Sequence, residues 1–132
     1  MERKIECSIV TPDRVIFEGQ VEYAVVQAYD GEMGFLYNHA PLISELGIGE
    51  LRLRNNSDIQ YLVVEGGFVE IRDNELNVLA ENAYIKNDLS KEQIEQDIKD
   101  LKQTSNTATD IEKMDFEVEL TKLKARLKVA SR

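Results

Sequence analysis

From residue 4 to 79 apolar and polar side chains alternate in short stretches of period two, separated by turn-forming residues, which predicts an all-β sandwich or barrel. Val21, Tyr23 and Val25 alternate with Glu22, Ala24 and Val26, and Ile59, Tyr61 and Val63 with Gln60, Leu62 and Val64. One face of each such strand can pack inward. Breaks are expected at Thr11-Pro12-Asp13, Tyr29-Asp30-Gly31, Gly47-Ile48-Gly49, 55–58, Gly66-Gly67 and Asp73-Asn74, all rich in turn formers. The spacing predicts about eight to ten strands. Tight hairpins are expected at 55–58 and at Asp73-Asn74.

After Ala80 no Gly or Pro occurs, and the apolar spacing lengthens to between three and four. Ser90 with Gln93 forms a capping box, followed by a stripe of Ile94, Ile98 and Leu101, which predicts a helix over about 89–103. A polar connector, 104–109, leads to a second box at Thr109 and Glu112 and a helix to about residue 129. Phe116, Leu120, Leu123 and Leu127 form one row on it, and Ile111, Met114 and Val118 another. So wide an apolar face is more than one partner helix covers. The expected organisation is a β-sandwich domain, 1–84, followed by an antiparallel helical hairpin, 85–132.

Charge sharpens the division. The net charge is -9, from 16 basic and 25 acidic residues; 6 and 15 of these fall in 1–84, and 10 of each in 85–132. An acidic chain lacks the concentrated basic surface that nucleic acid requires. No apolar run approaches the roughly 20 residues that span a bilayer, so neither membrane insertion nor a secretory leader is expected. The single cysteine, Cys7, lies in the row Ile5, Cys7, Ile9 and is read as a buried small apolar residue.

Candidate chemistry is sparse. With one histidine, His39, and no nucleophile motif, Walker loop, GxGxxG, CxxC, HExxH or EF-hand pattern, catalysis and a metal site are not expected. The glycines at 31 and 34, or 47 and 49, read more simply as turns. Residues 29–43 combine turn glycines with Met33, Phe35, Leu36, Tyr37 and His39, and exposed aromatics there would form a contact surface. The terminal stretch KLKARLKVASR, 122–132, carries five basic residues and no acid. It either complements the helix dipole or docks on an acidic partner.

The stretch 29–42, YDGEMGFLYNHAPL, resembles the DGExGxLPxHAPL signature of the ATP synthase epsilon subunit family. Thr11-Pro12-Asp13, Phe17-Glu18-Gly19, EGGFVE at 65–70 and VLAE at 78–81 are similar to the family's other landmarks, in the same order. The resemblance implies a non-catalytic rotor subunit, whose sandwich joins the gamma subunit to the c-ring subunits. It places Glu32 toward the c ring and His39 near gamma, with Met33, Phe35 and Tyr37 in the same interface. Tyr37 stands where the family has a proline, which frees a fixed φ. The resemblance further implies that the helices inhibit ATP hydrolysis when extended, Lys122, Lys124, Arg126 and Lys128 meeting the catalytic beta and alpha subunits. No cofactor is expected. The ATP motif of some members, [IL]DxxRA, is replaced by LSKEQI at 89–94, so ATP binding is possible but disfavoured. The implied setting is the cytoplasmic face of a bacterial plasma membrane, or alternatively the stromal side of a thylakoid. A ligand-binding sandwich with a helical oligomerisation tail is the competing reading from the residues alone, and a small enzyme a weaker one.

Overall fold

The computed structural model describes residues 3–105 and 110–132, with side chains at 3–104 and 113–132. Among the described residues, eight strands precede two helices. The strands are β1 (Ile5–Val10), β2 (Val15–Val21), β3 (Tyr23–Ala28), β4 (Gly31–Leu36), β5 (Leu42–Glu45), β6 (Ile48–Asn55), β7 (Asp58–Arg72) and β8 (Glu75–Ile85). They pair in the order β2-β1-β8-β7-β6-β3-β4, with β5 also on β7, and every pairing is antiparallel except β1 with β8.

Both expected hairpins form. Asn55 pairs Asp58, and Arg72 pairs Glu75 across Asp73 and Asn74, whose φ values of 52° and 61° suit a two-residue hairpin turn. The expected turn at Gly66-Gly67 does not form, because β7 runs through it. Residues 58–65 of β7 pair with β6 and residues 68–71 with β5, so the strand changes partner at the two glycines. Their φ values, 78° and 112°, bend β7 where an L side chain would be strained. A Cβ on Gly67 would also sit 2.0 Å from the Leu79 carbonyl oxygen. Gly34 and Gly49 likewise lie inside β4 and β6 rather than in turns.

The bend lets β7 and β8 belong to both layers of a sandwich. One layer sends Ile5, Cys7, Ile9, Val69, Ile71, Leu76 and Val78 into the core; the other sends Ala24, Val26, Leu51, Leu53, Leu62 and Val64. The alternation around 21–26 changes phase at Glu22, between β2 and β3, so Val21, Ala24 and Val26 are buried while Tyr23 and Val25 are half-buried. Val63 breaks its strand's alternation and is fully buried. Its cover comes from the C-terminal helix, which packs across β6 and β7.

A 3-10 turn (Lys86–Asp88) leads to α1 (Lys91–Ser105), and α2 spans Asp110–Ala130. The first capping box is half made: the Gln93 N–H donates to Ser90 Oγ at 3.3 Å, while the Gln93 side chain donates to Asp97 at 2.9 Å. The second box, at Thr109 and Glu112, lies outside the described residues, as do the Ile111 side chain and connector residues 106–109. Thr104 and Ser105 extend α1 instead of joining the connector. α2 packs on α1 and across β6 and β7. Ile94 and Leu123 are buried and Phe116, Leu120 and Leu127 half-buried, whereas Met114 and Val118 stay exposed. The second apolar row is therefore uncovered at those two positions.

Candidate interaction surfaces

Three surfaces offer themselves, and the first is the segment 29–43. Glu32 projects from β4, an edge strand, and accepts from Arg52 on β6 at 3.1 and 3.4 Å. The guanidinium beside it holds its carboxyl below the usual value. Met33 is partly buried against the core and Phe35 is fully buried, so the expectation of exposed aromatics holds for Tyr29 and Tyr37 and not for Phe35. Strand alternation explains this, since Phe35 points to the face opposite Glu32, Gly34 and Leu36. The His39 ring lies against Phe35 at 5.1 Å, and its Nδ1–H donates to the Ala40 carbonyl at 2.6 Å.

Where the family's proline is missing, hydrogen bonds fix the turn. The His39 N–H donates to the Leu36 carbonyl at 3.1 Å, and Asn38, at φ 61°, donates its N–H to Asn74 Oδ1 at 3.0 Å. Asn74 in turn donates to the Lys4 carbonyl at 2.7 Å. The segment is thereby anchored to the β7–β8 hairpin and to the start of β1.

The second surface is the seam between α2 and the sandwich. Arg126 forks onto Glu65, with Nε to Oε2 at 2.6 Å and Nη2 to Oε1 at 2.8 Å; the Glu65 side chain is fully buried. Arg132 forks onto Glu50 at 2.9 and 2.8 Å. Each guanidinium also lies over a tyrosine ring, Arg126 over Tyr84 at 4.8 Å and Arg132 over Tyr61 at 4.5 Å. Its carboxylate raises the pKa of each arginine, through the hydrogen bond first. The amine of Lys86 donates to the Arg132 carbonyl. Of the basic residues proposed for docking, Arg126 is thus engaged at home, Lys122 is half-buried, and Lys124 and Lys128 are exposed.

Glu50 pairs Val63 and Ile48 pairs Glu65, so the two carboxylates are diagonal neighbours, about 7–8 Å apart at the backbone. Arg132 lies two residues past the end of α2, and a closing turn, in which the Ser131 and Arg132 N–H groups donate to the Leu127 and Val129 carbonyls, carries it to Glu50. No pattern within β6 or β7 singles out these two carboxylates; their partners at 126 and 132 become legible only once α2 is laid on the sheet.

The third surface, missed by sequence reading, is an apolar row across the outside of the other layer. Val15 pairs Val10, Val10 pairs Leu79, Leu79 pairs Phe68, and Ile43 is diagonal to Phe68 on β5. Val15, Leu79, Phe68 and Ile43 are 58%, 53%, 56% and 69% exposed. The available signal was adjacent apolar pairs, Phe68-Val69 and Val78-Leu79, which leave one member of each facing out.

Cys7 is buried and its thiol is pushed up to about 12 by burial. Among the described residues no His, Cys, Asp and Glu are grouped to hold a metal ion, and no helix is long and apolar enough to cross a membrane. A cleft of about 340 Å³ between the helices is lined in part by Asp97, Asp100, Glu119 and Arg126. Three carboxylates there disfavour a polyphosphate.

Residues 4–86 match the family described as the ATP synthase, Delta/Epsilon chain, beta-sandwich domain. The chain is 36% identical over 129 residues to the ATP synthase epsilon chain of Leptospira interrogans, covering 98% of this chain and 97% of that one. It is 33% identical over 128 residues to the chloroplastic ATP synthase epsilon chain of Guillardia theta, covering 96% and 98%. Its fold is similar to that of a chain in the Euglena gracilis mitochondrial ATP synthase OSCP/F1/c-ring structure, with a TM-score of 0.86, 18% identity, and coverage of 100% and 84%. A chain in the Tetrahymena thermophila mitochondrial ATP synthase central stalk/c-ring structure aligns with a TM-score of 0.68, 16% identity, and coverage of 98% of each.

Proposed function

The chain belongs to the ATP synthase epsilon family, and from that premise we propose that it works as the central-stalk subunit of an ion-driven rotary ATP synthase. In this reading the sandwich joins the gamma shaft to the c ring, and the helical hairpin regulates ATP hydrolysis. The subunit transmits torque and does no chemistry. It sits peripherally at the cytoplasmic face of a bacterial plasma membrane, the relatives being bacterial and chloroplast chains.

The observation that carries the reading is the uncovered apolar row of Val15, Leu79, Phe68 and Ile43. One outer face of the sandwich is covered by α2, while this one is left open by the described residues. A joint that bears load needs a stiff platform and an apolar contact that water does not disrupt. The gamma shaft is its assigned occupant. Glu32, Tyr37 and His39 complete the rotor interface from the 29–43 segment, with Met33 and Phe35 supporting them from below. Lys122, Lys124, Arg126 and Lys128 meet acidic residues of the catalytic subunits when the hairpin extends, which requires Arg126 to leave Glu65.

Binding to a gamma-containing catalytic core tests the platform. Phe68→Asp is expected to weaken binding about thirtyfold or more, the roughly 2 kcal/mol of one aromatic anchor, with the melting temperature little changed. Unaltered affinity in Phe68→Asp and in Ile43→Asp would remove this face from the joint.

A further inference from the structure

Glu50 is shared between two arginines. Its Oε1 accepts from Arg132 Nη2 at 2.8 Å and lies 3.6 Å from Arg52 Nη1, while Arg52 is itself forked onto Glu32. Four side chains therefore form one line of alternating charge. It runs from an exposed carboxylate on edge strand β4, through two residues of β6, to the arginine that closes the hairpin onto the sandwich.

We propose that Glu32, Arg52, Glu50 and Arg132 form an ionic relay, through which a cationic partner group that takes Glu32 loosens the C-terminal end of α2. Arg52 has one planar fork and two carboxylates within reach. While Glu32 holds that fork, Glu50 is left to Arg132. A lysine or arginine from outside that captures Glu32 frees Arg52 to turn onto Glu50, which occupies its acceptor sites and brings like charge against Arg132. The docked end of α2 then loses its ionic hold, keeping the Tyr61 face, the Lys86 contact and the buried Val129.

The bistable element that such coupling requires is the docked or released end of α2. Arg126 and Glu65 share no member with the relay and hold α2 one turn before its end. The relay acts on the last turns of the helix and not on the whole hairpin. Its functional meaning rests on the rotor reading, since it connects a stalk-facing surface to the regulatory helix, but the relay belongs to the isolated chain.

A competing route must be separated from it. Lys128, on α2, also pulls electrostatically on the Glu32 carboxyl, more weakly than Arg52 does. Neutralising Glu32 could loosen α2 through lost attraction to Lys128 alone. The two routes differ in whether they need Arg52.

Amide hydrogen exchange on the full isolated chain, followed over residues 124–130, distinguishes them. Glu32→Gln is expected to speed exchange there about two- to fivefold, the span of an exposed ion pair's contribution. In an Arg52→Gln background the same change is expected to add nothing, and an Arg132→Gln background gives the same readout should Arg52→Gln disturb the sheet. Unchanged exchange in Glu32→Gln, or equal acceleration with and without Arg52, would overturn the relay. No partner protein enters the assay, so its outcome is independent of shaft binding, which Phe68→Asp reads separately.

Discussion

Glu50 and Glu65 occupy strand positions where a carboxylate is usually solvated, yet both side chains are almost wholly buried beneath α2. Their charge is supportable because each accepts a forked arginine backed by a tyrosine face, so that the desolvation cost is offset by hydrogen bonds and packing. Glu32 shows the exposed version of the same chemistry. Its carboxyl lies below the ordinary 4.5 because Arg52 bonds the charged form. A folded value below the unfolded one means that the pair contributes stability above pH 4.5, and that the contribution fades as pH falls through the folded value. A carboxyl titration by nuclear magnetic resonance is expected to place Glu32 below 4.5, and Arg52→Gln to return it close to 4.5. A Glu32 value that ignores the substitution would mean that Arg52 is not its partner in solution. Cys7 was legible from three alternating residues, because burial of a small apolar row needs no knowledge of distant partners. The carboxylate–arginine pairs were not, because their members are 61 and 82 residues apart.

At the scale of elements, the period-two pattern and its turn residues were enough to expect the sandwich and both two-residue hairpins. Gly66 and Gly67 were misread for a physical reason: a pair of glycines supplies the same positive φ to a turn and to a bend within a strand. The 15-residue β7 changes sheet partner there, and Gly67 meets β8 backbone where a methyl would collide. Gly67→Ala is expected to cost about 3 kcal/mol or more, from strain at φ 112° and the contact with the Leu79 carbonyl oxygen. Chemical denaturation measures it, and a loss under about 1 kcal/mol would show that the bend is not fixed by this residue. The helices were legible from the 3.6-residue period and from Ser90, although Gln93 spends its side chain on Asp97. At the start of α1 the residues LSKEQI lack the aspartate and arginine of the ATP-binding motif that the resemblance brings in, and carboxylates line the cleft between the helices. Calorimetry with ATP is expected to show no saturable binding in the low-micromolar range; such binding would mean that the cleft reorganises around the nucleotide.

The whole molecule has two faces with different fates. One outer face of the sandwich carries Val63, Tyr61, Tyr84, Glu50 and Glu65 and is closed by the chain's own helix, while the other carries the apolar row and stays open. Two forked pairs, two stacked tyrosines and the burial of Leu123 and Val129 hold α2 down, yet charge pairs of this kind can be exchanged for equivalent pairs on another protein. Met114 and Val118 remain uncovered in the compact arrangement, in keeping with a helix that has a second apolar surface to use. The overall architecture was legible because it follows from local periodicity. The apolar row and the α2 seam were not, since each is assembled from strands that only the folded topology brings side by side.

In the proposed reading the sandwich binds the stalk and the hairpin restrains hydrolysis. That reading is tested most directly by the ATP hydrolysis rate of a catalytic core stripped of its epsilon subunit, after adding back either the full chain or one ending after Asp88, which retains all eight strands. Both forms are expected to bind, and only the full chain to slow hydrolysis. Failure of both forms to bind, with the rate unaltered, would contradict that reading.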